Sequence, residues 1–395
     1  MNYFQYIVLF VSLAPIFKTK MKYYIIAGEA SGDLHSSNLM REIKKLDNNA
    51  DFRFWGGDLM KAEGGELVKH YKDISFMGFV EVLANIRTIS KNINFCKKDI
   101  LNYNPDIVIL VDYPGFNLII SKFLKEKGIK NYYYISPQVW AWHKSRVHKI
   151  KKTVDKMFVI LPFEKDFYSN YNFNVDFVGH PLLDAVENKK NDLPDFDTFC
   201  KENNLNDKPI IALLPGSRKQ EIKRMLNVMC SIIEYFPQFQ FVIAGTNSVS
   251  SDLYFDFDKK YNVKFVFGKT YQLLNISKAA LVTSGTATLE TALFEVPQVV
   301  CYKGSYISYS IAKRLVKINF ISLVNLIMNK EVVKELIQND FNKDNLKSEL
   351  LKITNNSESI ERIKTDYIEL KNILGGSGAS KNVASKILFY LNNEK

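Results

Sequence analysis

The stretch "YYIIAGEASGDLHSS", residues 23–37, decides the fold. Its continuous apolar run reads as a buried strand, and Asp33 to Leu46 reads as the helix that follows. Between them lies a turn of small residues carrying two glycines and two acids. Strand–turn–helix junctions of this shape usually hold a phosphate on the helix N-terminus. Glu29 and Asp33 would repel one, so the turn is expected to hold something else. Asp33 sits where a helix-capping residue ordinarily does.

Working outward, the same alternation repeats. "DFRFWGG" (51–57), "NPDIVILVDYPGFN" (104–117), "NYYYISP" (131–137), "KMFVILP" (156–162) and "VDFVGHP" (175–181) each contain a short apolar strand, with helical stretches between. Continuous apolar strands separated by helices imply a parallel sheet covered on both faces. Residues 187–208 are polar and charge-rich, the texture of a linker or surface excursion. The alternation then restarts in "PIIALLPGSR", "FQFVIAG", "VKFVFG", "AALVTSG" and "PQVVCYK". A glycine-rich turn and an amphipathic helix, "LGGSGASKNVASKILFYLNN", close the chain. The expected fold class is α/β, with two Rossmann-like doubly wound domains facing across a cleft and ligands at the carboxyl ends of the strands.

Composition narrows the classes. The chain has 395 residues, 47% hydrophobic and 24% charged, which suits a globular protein with a large core. Its four cysteines, at 96, 200, 230 and 301, form no C-x-x-C pair and no histidines cluster with them, so no metal site is expected. A net charge of +11 points to an anionic partner. Lys and Arg are spread thinly, without a nucleic-acid-binding signature, so a phosphate-bearing substrate or an acidic membrane surface is expected rather than nucleic acid. In residues 1–20 the apolar run from Tyr6 to Phe17 is about twelve residues long, short for a bilayer span. It lacks the basic start of a secretory signal. Translation from Met21, or an appended segment, is the favoured expectation, with a weak membrane anchor as the other.

Several stretches at the expected carboxyl edge carry chemistry. "LLPGSRKQEI" (213–222) is a strand, a tight turn and a helix start, with Arg218 as a planar fork suited to phosphate oxygens. "VTSGTATLETALFEVP" (282–297) places Ser284, Gly285 and Thr286 at a second helix start, with Glu290 one turn on, where a carboxylate can accept from a ribose diol. Ordinary capped turns are the plain alternative for each. Two such turns in one half favour a nucleoside diphosphate site. In the first half Asp112 ends "IVILVD", a position suited to a general base or to a turn cap. Asn117 either positions a sugar hydroxyl or caps the next helix. "SPQVWAWHKSRVHKIKK" (136–152) sets Trp140 and Trp142 beside His143 and several cations, which suits a sugar phosphate, a membrane interface, or rings packed in a core. "ISFMGFVEVLANIRTISKNINF" (74–95) has largely helical apolar spacing. It reads as a core-facing helix or as an exposed patch for acyl chains, with Phe76, Met77, Phe79, Val80 and Leu83 as that patch.

The motifs "GEASGD", "GGDLM", "FMGFVEVL", "VDYPGFN", "YYISPQVWAW", "LPFE", "FVGHPL", "LLPGSRKQE", "TSGTATLETAL" and "RLVKINFISLVNLI" occur in this order. Together they resemble the lipid-A-disaccharide synthase family from about residue 21 to 340. The resemblance implies a two-domain GT-B glycosyltransferase of lipid A biosynthesis in Gram-negative bacteria, working without metal or cofactor at the cytoplasmic face of the inner membrane. Its donor would be UDP-2,3-diacylglucosamine and its acceptor 2,3-diacylglucosamine 1-phosphate (lipid X), giving a β(1→6) disaccharide 1-phosphate and UDP. Other members are described as dimers, so a homodimer is implied. The domains are expected at 21–186 on the acceptor side and 209–365 on the UDP-sugar side, joined by the linker at 187–208, with the extension at 1–20 and a helical tail at 366–395.

The resemblance also distributes roles. Asp112 becomes the base; Arg218, Ser284, Gly285, Thr286 and Glu290 the UDP site; Asn325 and Gln338 further donor-side residues. Gly28 and Gly32 would let a sugar approach the backbone while Glu29 and Ser31 meet its hydroxyls, with Asn117, Trp140 and His143 also on the acceptor side. Many relatives read S-L-P-N where this chain reads "SLVN" at 322–325. Other GT-B specificities, such as an N-acetylglucosamine transferase of cell-wall synthesis or a UDP-sugar 2-epimerase, and a non-catalytic lipid-binding protein, are the competing classes.

Overall fold

Eleven apolar runs read from the sequence fold as short parallel strands, and two polar ones join them. The computed structural model describes residues 20–74, 85–142, 145–190, 192–246, 249–304 and 319–393. In the first sheet the strands are β1 (Lys22–Ala27), β2 (Asp51–Gly56), β3 (Glu66–His70), β4 (Ile107–Val111), β5 (Asn131–Tyr134), β6 (Lys156–Val159) and β7 (Asp176–Phe177). Their order is β3-β2-β1-β4-β5-β6-β7. The second sheet holds β8 (Ile210–Leu214), β9 (Gln240–Gly245), β10 (Lys264–Phe267), β11 (Ser277–Thr283), β12 (Gln298–Tyr302) and β13 (Lys334–Ile337), in the order β10-β9-β8-β11-β12-β13. Both are doubly wound sheets of one pattern. Strand order reverses between β1 and β4 in one and between β8 and β11 in the other, the points where such sheets bind ligands.

Burial on both faces explains why these runs are apolar throughout. Ile211 and Leu213 of β8 join one apolar cluster, while Ile210, Ala212 and Leu214 join another. β11 divides likewise: Ala279 and Leu281 against Ala280 and Val282. In the first sheet β1 and β4 are buried almost end to end. Polar groups on β1 and β2 find partners inside the fold. The Tyr24 hydroxyl donates to Asp99 at 2.7 Å, and Arg53 donates to the same carboxylate through Nε and Nη2.

The described chain forms two compact units. One runs to Pro137 and adds Ile150–Phe158 and the tail from Ser380; the other holds Gln138–Lys149 and Val159–Ala379. The stretch expected as a linker carries the end of the helix Pro181–Lys190 and all of the helix Phe196–Glu202. The terminal helix Ala379–Asn393 returns to the first unit, where Lys156 lies over the Tyr390 ring at 4.1 Å. The first helix begins at Ala30, three residues before its expected start. The expected extension other than Lys20, the patch Phe76, Met77, Phe79, Val80 and Leu83, and His143 lie outside the described residues.

Candidate functional site

In the first unit the carboxyl ends of β1 and β4 lie side by side, with Ala27 opposite Val111. Glu29 and Asp112 therefore leave adjacent strands at the point where strand order reverses. Asp112 and Tyr113 both adopt left-handed backbone, φ 44° and 49°. That region is uncommon outside glycine and persists only where the surroundings impose it. Here they do. The Asp112 N–H donates to the Tyr134 carbonyl at 3.0 Å. Its own carbonyl accepts from the Tyr133 hydroxyl at 2.6 Å and from Asn117 Nδ2 at 2.8 Å. Tyr113 donates through its hydroxyl to the Ile74 carbonyl at 2.8 Å. The Tyr113 ring packs on Gly28, where an added Cβ would lie 2.3 Å from the ring carbons.

Electrostatics follow from this placement. Burial, and then the charge of Glu29, push the Asp112 carboxyl up to about 6; the Tyr113 N–H pulls it partly back. The carboxylate is half-buried. A base that titrates near neutrality combines availability with proton affinity.

Asp33 answers what the acidic turn holds. It is buried, and its carboxylate accepts from the N–H groups of Gly57 at 2.7 Å, Leu59 at 3.1 Å and Met60 at 3.1 Å. It thus caps the helix Asp58–Ala62 beyond β2, not its own helix as expected. The reason is geometric: the first helix is already under way at Ala30, which leaves Asp33 facing the neighbouring turn. Glu29 occupies the N-cap place of the first helix but makes no side-chain cap bond. Gly28 and Gly32 are buried, and Ser31 is exposed on the same turn.

Asn117 is fully buried. Its Nδ2 donates to the carbonyls of Ile26, Val111 and Asp112, so it ties the ends of β1 and β4 together. Trp140 belongs to the second unit, edge-on to Phe163 at 4.9 Å between ring centroids, and packs half-buried against that unit's core.

The second unit carries its own depression of ≈ 380 Å³ at the ends of β8, β9 and β11. Ser284, Gly285, Thr286 and Glu290 line it, together with Gly216 and Ser217 from the turn after β8 and Glu221 from the helix that follows. Gly285 has φ 134°, which favours glycine, and it begins the helix Thr286–Leu293 with no side chain capping the first turn. The helix Lys219–Met229 has Arg218 as its N-cap residue, whose side chain likewise makes no cap bond. Two helix starts whose N-cap residues make no side-chain cap bond flank one depression, an arrangement that can accept an anion. Arg218 is exposed; it follows Ser217 in the chain but is not among the residues that line the depression. Glu290 accepts from the Tyr271 hydroxyl at 3.0 Å. Burial raises the Glu290 carboxyl, while this bond and the Lys189 charge lower it. Lys189 also lies over the Tyr271 ring at 5.2 Å.

Two expected donor residues, Asn325 and Gln338, are not among the residues that line the depression. The Asn325 side chain is fully buried and spent within the fold: it accepts from the N–H groups of Val332 and Val333 and donates to the Val333 carbonyl and Glu335. Without the usual proline, "SLVN" still starts a helix, because the Ser322 hydroxyl accepts from Asn325 N–H at 3.2 Å. Gln338 follows β13 with φ 54° and donates its backbone N–H to the Tyr302 carbonyl at 2.8 Å. Sequence reasoning missed Tyr133, Tyr271 and Lys189. Nothing in spacing along the chain links them to Asp112 or Glu290; only packing does.

A family model described as lipid-A-disaccharide synthetase matches residues 23–387. The lipid-A-disaccharide synthase of Syntrophus aciditrophicus is 38% identical over 367 residues, covering 91% of this chain and 95% of that protein. That of Geobacter metallireducens is 35% identical, covering 94% and 97%. Among solved structures, the UDP-GlcNAc 2-epimerase of Neisseria meningitidis bound to UDP-GlcNAc has a TM-score of 0.67 at 15% identity, covering 93% of this chain and 100% of that one. The calicheamicin glycosyltransferase CalG4 has a TM-score of 0.58 at 13% identity, covering 95% and 100%. At such identities the solved structures speak to the fold alone.

Proposed function

The chain belongs to the lipid-A-disaccharide synthetase family and is a hexosyltransferase of the GT-B fold, and from that premise we propose its substrates and its chemistry. The donor is UDP-2,3-diacylglucosamine and the acceptor is 2,3-diacylglucosamine 1-phosphate. Transfer inverts the anomeric centre. Asp112 removes the proton of the acceptor 6-hydroxyl as that oxygen bonds to the donor's anomeric carbon. The bond from that carbon to UDP breaks, and its electron pair leaves on the diphosphate. The products are the β(1→6) disaccharide 1-phosphate and UDP.

The leaving diphosphate gains negative charge as the bond breaks, and preorganised donors are worth most there. The N–H groups at 285 and 286, the second helix start and Arg218 supply them in this reading. Glu290 accepts from the ribose hydroxyls, and Gln338 is a further donor-side residue. Glu29, Ser31 and the Gly28 and Gly32 backbone serve the acceptor sugar, with Asn117 holding the strand ends beneath it. The observation that carries the proposal is the placement of Glu29 and Asp112 at the adjacent ends of β1 and β4, where strand order reverses, with burial lifting the Asp112 carboxyl.

The same reading sets the protein on the cytoplasmic face of an anionic bilayer. The net charge of +11 supports that attraction. No helix among the described residues is long and apolar enough to cross a membrane. Incubating the purified protein with both acylated substrates in EDTA is the test. The disaccharide and UDP in equal amounts support the reading; donor consumed without disaccharide contradicts it.

A further inference from the structure

We propose that the Tyr133 hydroxyl is a positioning group for Asp112, holding that residue in the left-handed backbone conformation from which its carboxylate serves the acceptor. The inference rests on the reading of Asp112 as the base.

The support is geometric. Two successive non-glycine residues at positive φ are held by their neighbours, since the conformation is disfavoured on its own. Asp112 has three such restraints on its own backbone: Tyr134 on its N–H, and Tyr133 and Asn117 on its carbonyl. The Tyr133 bond is the shortest, at 2.6 Å. Asn117 divides its amide among three carbonyls, at 3.4, 3.2 and 2.8 Å. Tyr133 sits wholly buried on β5, the strand beside β4, with Leu110 opposite it. Its ring is thus fixed by the core, and its hydroxyl reaches the one carbonyl at which the strand turns into the Asp112–Tyr113 bend. Neighbouring Tyr132 projects to the other face of the sheet. There its ring meets Phe158 and Tyr390 at 6.0 and 6.3 Å.

The adjacent tyrosines make a matched experiment. Tyr133→Phe and Tyr132→Phe each delete one hydroxyl from a fully buried ring on the same strand. Tyr133→Phe is expected to lower kcat by about 10- to 100-fold, the scale of a misplaced catalytic group, with KM for both substrates and UDP affinity kept. Tyr132→Phe is expected to keep the parent kcat. Installing 4-aminophenylalanine at 133, which keeps the ring and a donor, is expected to restore most of the lost turnover even if Tyr133→Phe folds poorly. Equal losses in the two phenylalanine variants, or no loss at 133, would overturn the inference. Asp112→Asn in the same assay separates the two claims. Parent turnover there removes the base reading itself; an inactive Asp112→Asn beside a fully active Tyr133→Phe removes only the positioning role.

Discussion

Glu29 and Asp112 leave neighbouring parallel strands, and the charge on Glu29 adds to burial in lifting the Asp112 carboxyl to about 6. A base must be ionised to work, so turnover is expected to rise as pH increases through about 6. Glu29→Gln removes the lesser of the two causes. The acid limb of the kcat profile should move to lower pH while remaining above that of an ordinary aspartate, because burial stays. A limb that does not move with Glu29→Gln would separate the titration from this pair.

The raised carboxyl has a consequence for stability. Its proton is held more tightly in the folded chain than in the unfolded one. The stability it contributes is therefore full below the unfolded value near 4 and is lost as pH rises to about 6. At pH 7 the ionised group is a net penalty. Asp112→Asn should raise the unfolding free energy at pH 7 by on the order of 1–2 kcal/mol and do less at pH 4. Urea titrations at the two pH values measure it.

Asp33 accepts three N–H groups at the start of the helix Asp58–Ala62. Asp33→Ala leaves those donors in a buried place without an acceptor, and the expected destabilisation is about 2–3 kcal/mol. Asp33→Asn, which keeps one acceptor oxygen, should lose less. UDP affinity should be unchanged in both, since the depression is built by the other unit. Chemical denaturation and calorimetry test the two halves of this statement separately.

Glu290 is held by Tyr271 at the depression that holds the nucleotide in our account. Glu290→Gln should weaken UDP binding by about 10- to 100-fold, the scale of a lost charge-assisted hydrogen bond. It should also erase discrimination between UDP and 2′-deoxy-UDP. Tyr271→Phe removes a bond that favours the ionised carboxylate, so its UDP affinity should fall more steeply than the parent's as pH is lowered. Isothermal titration with the two nucleotides across pH checks both.

A methyl group at residue 28 would meet the Tyr113 ring at 2.3 Å. Gly28→Ala therefore displaces Tyr113, and with it the bend that carries Asp112. Turnover should drop at least tenfold, on the scale of misplaced catalytic groups, while UDP binding is kept. Equal losses of both would place the effect elsewhere.

The interior of the fold was legible in the sequence because burial on both faces strips a strand of polar residues, as in β4 and β8. β3 and β13 escaped for the opposite reason. Each is an edge strand, half-exposed, and each carries charges (Glu66 and Lys69, Lys334 and Glu335) where an apolar run would have announced it. Asp112 and Glu290 were legible because a strand end and a helix turn lie within a few residues of each. Their partners were not. Tyr133 and Tyr271 reach them from other elements, 21 and 19 residues away, and no local periodicity encodes such a contact. Asp33 shows the same limit: its type predicted capping, but packing chose which helix it caps.

The most direct measurement is the turnover of Asp112→Asn with UDP-2,3-diacylglucosamine and lipid X, set beside its affinity for UDP. The account predicts a kcat lower by about 10²- to 10⁴-fold, the usual contribution of a general base, with the UDP dissociation constant unchanged. Near-parental kcat in that variant would contradict it.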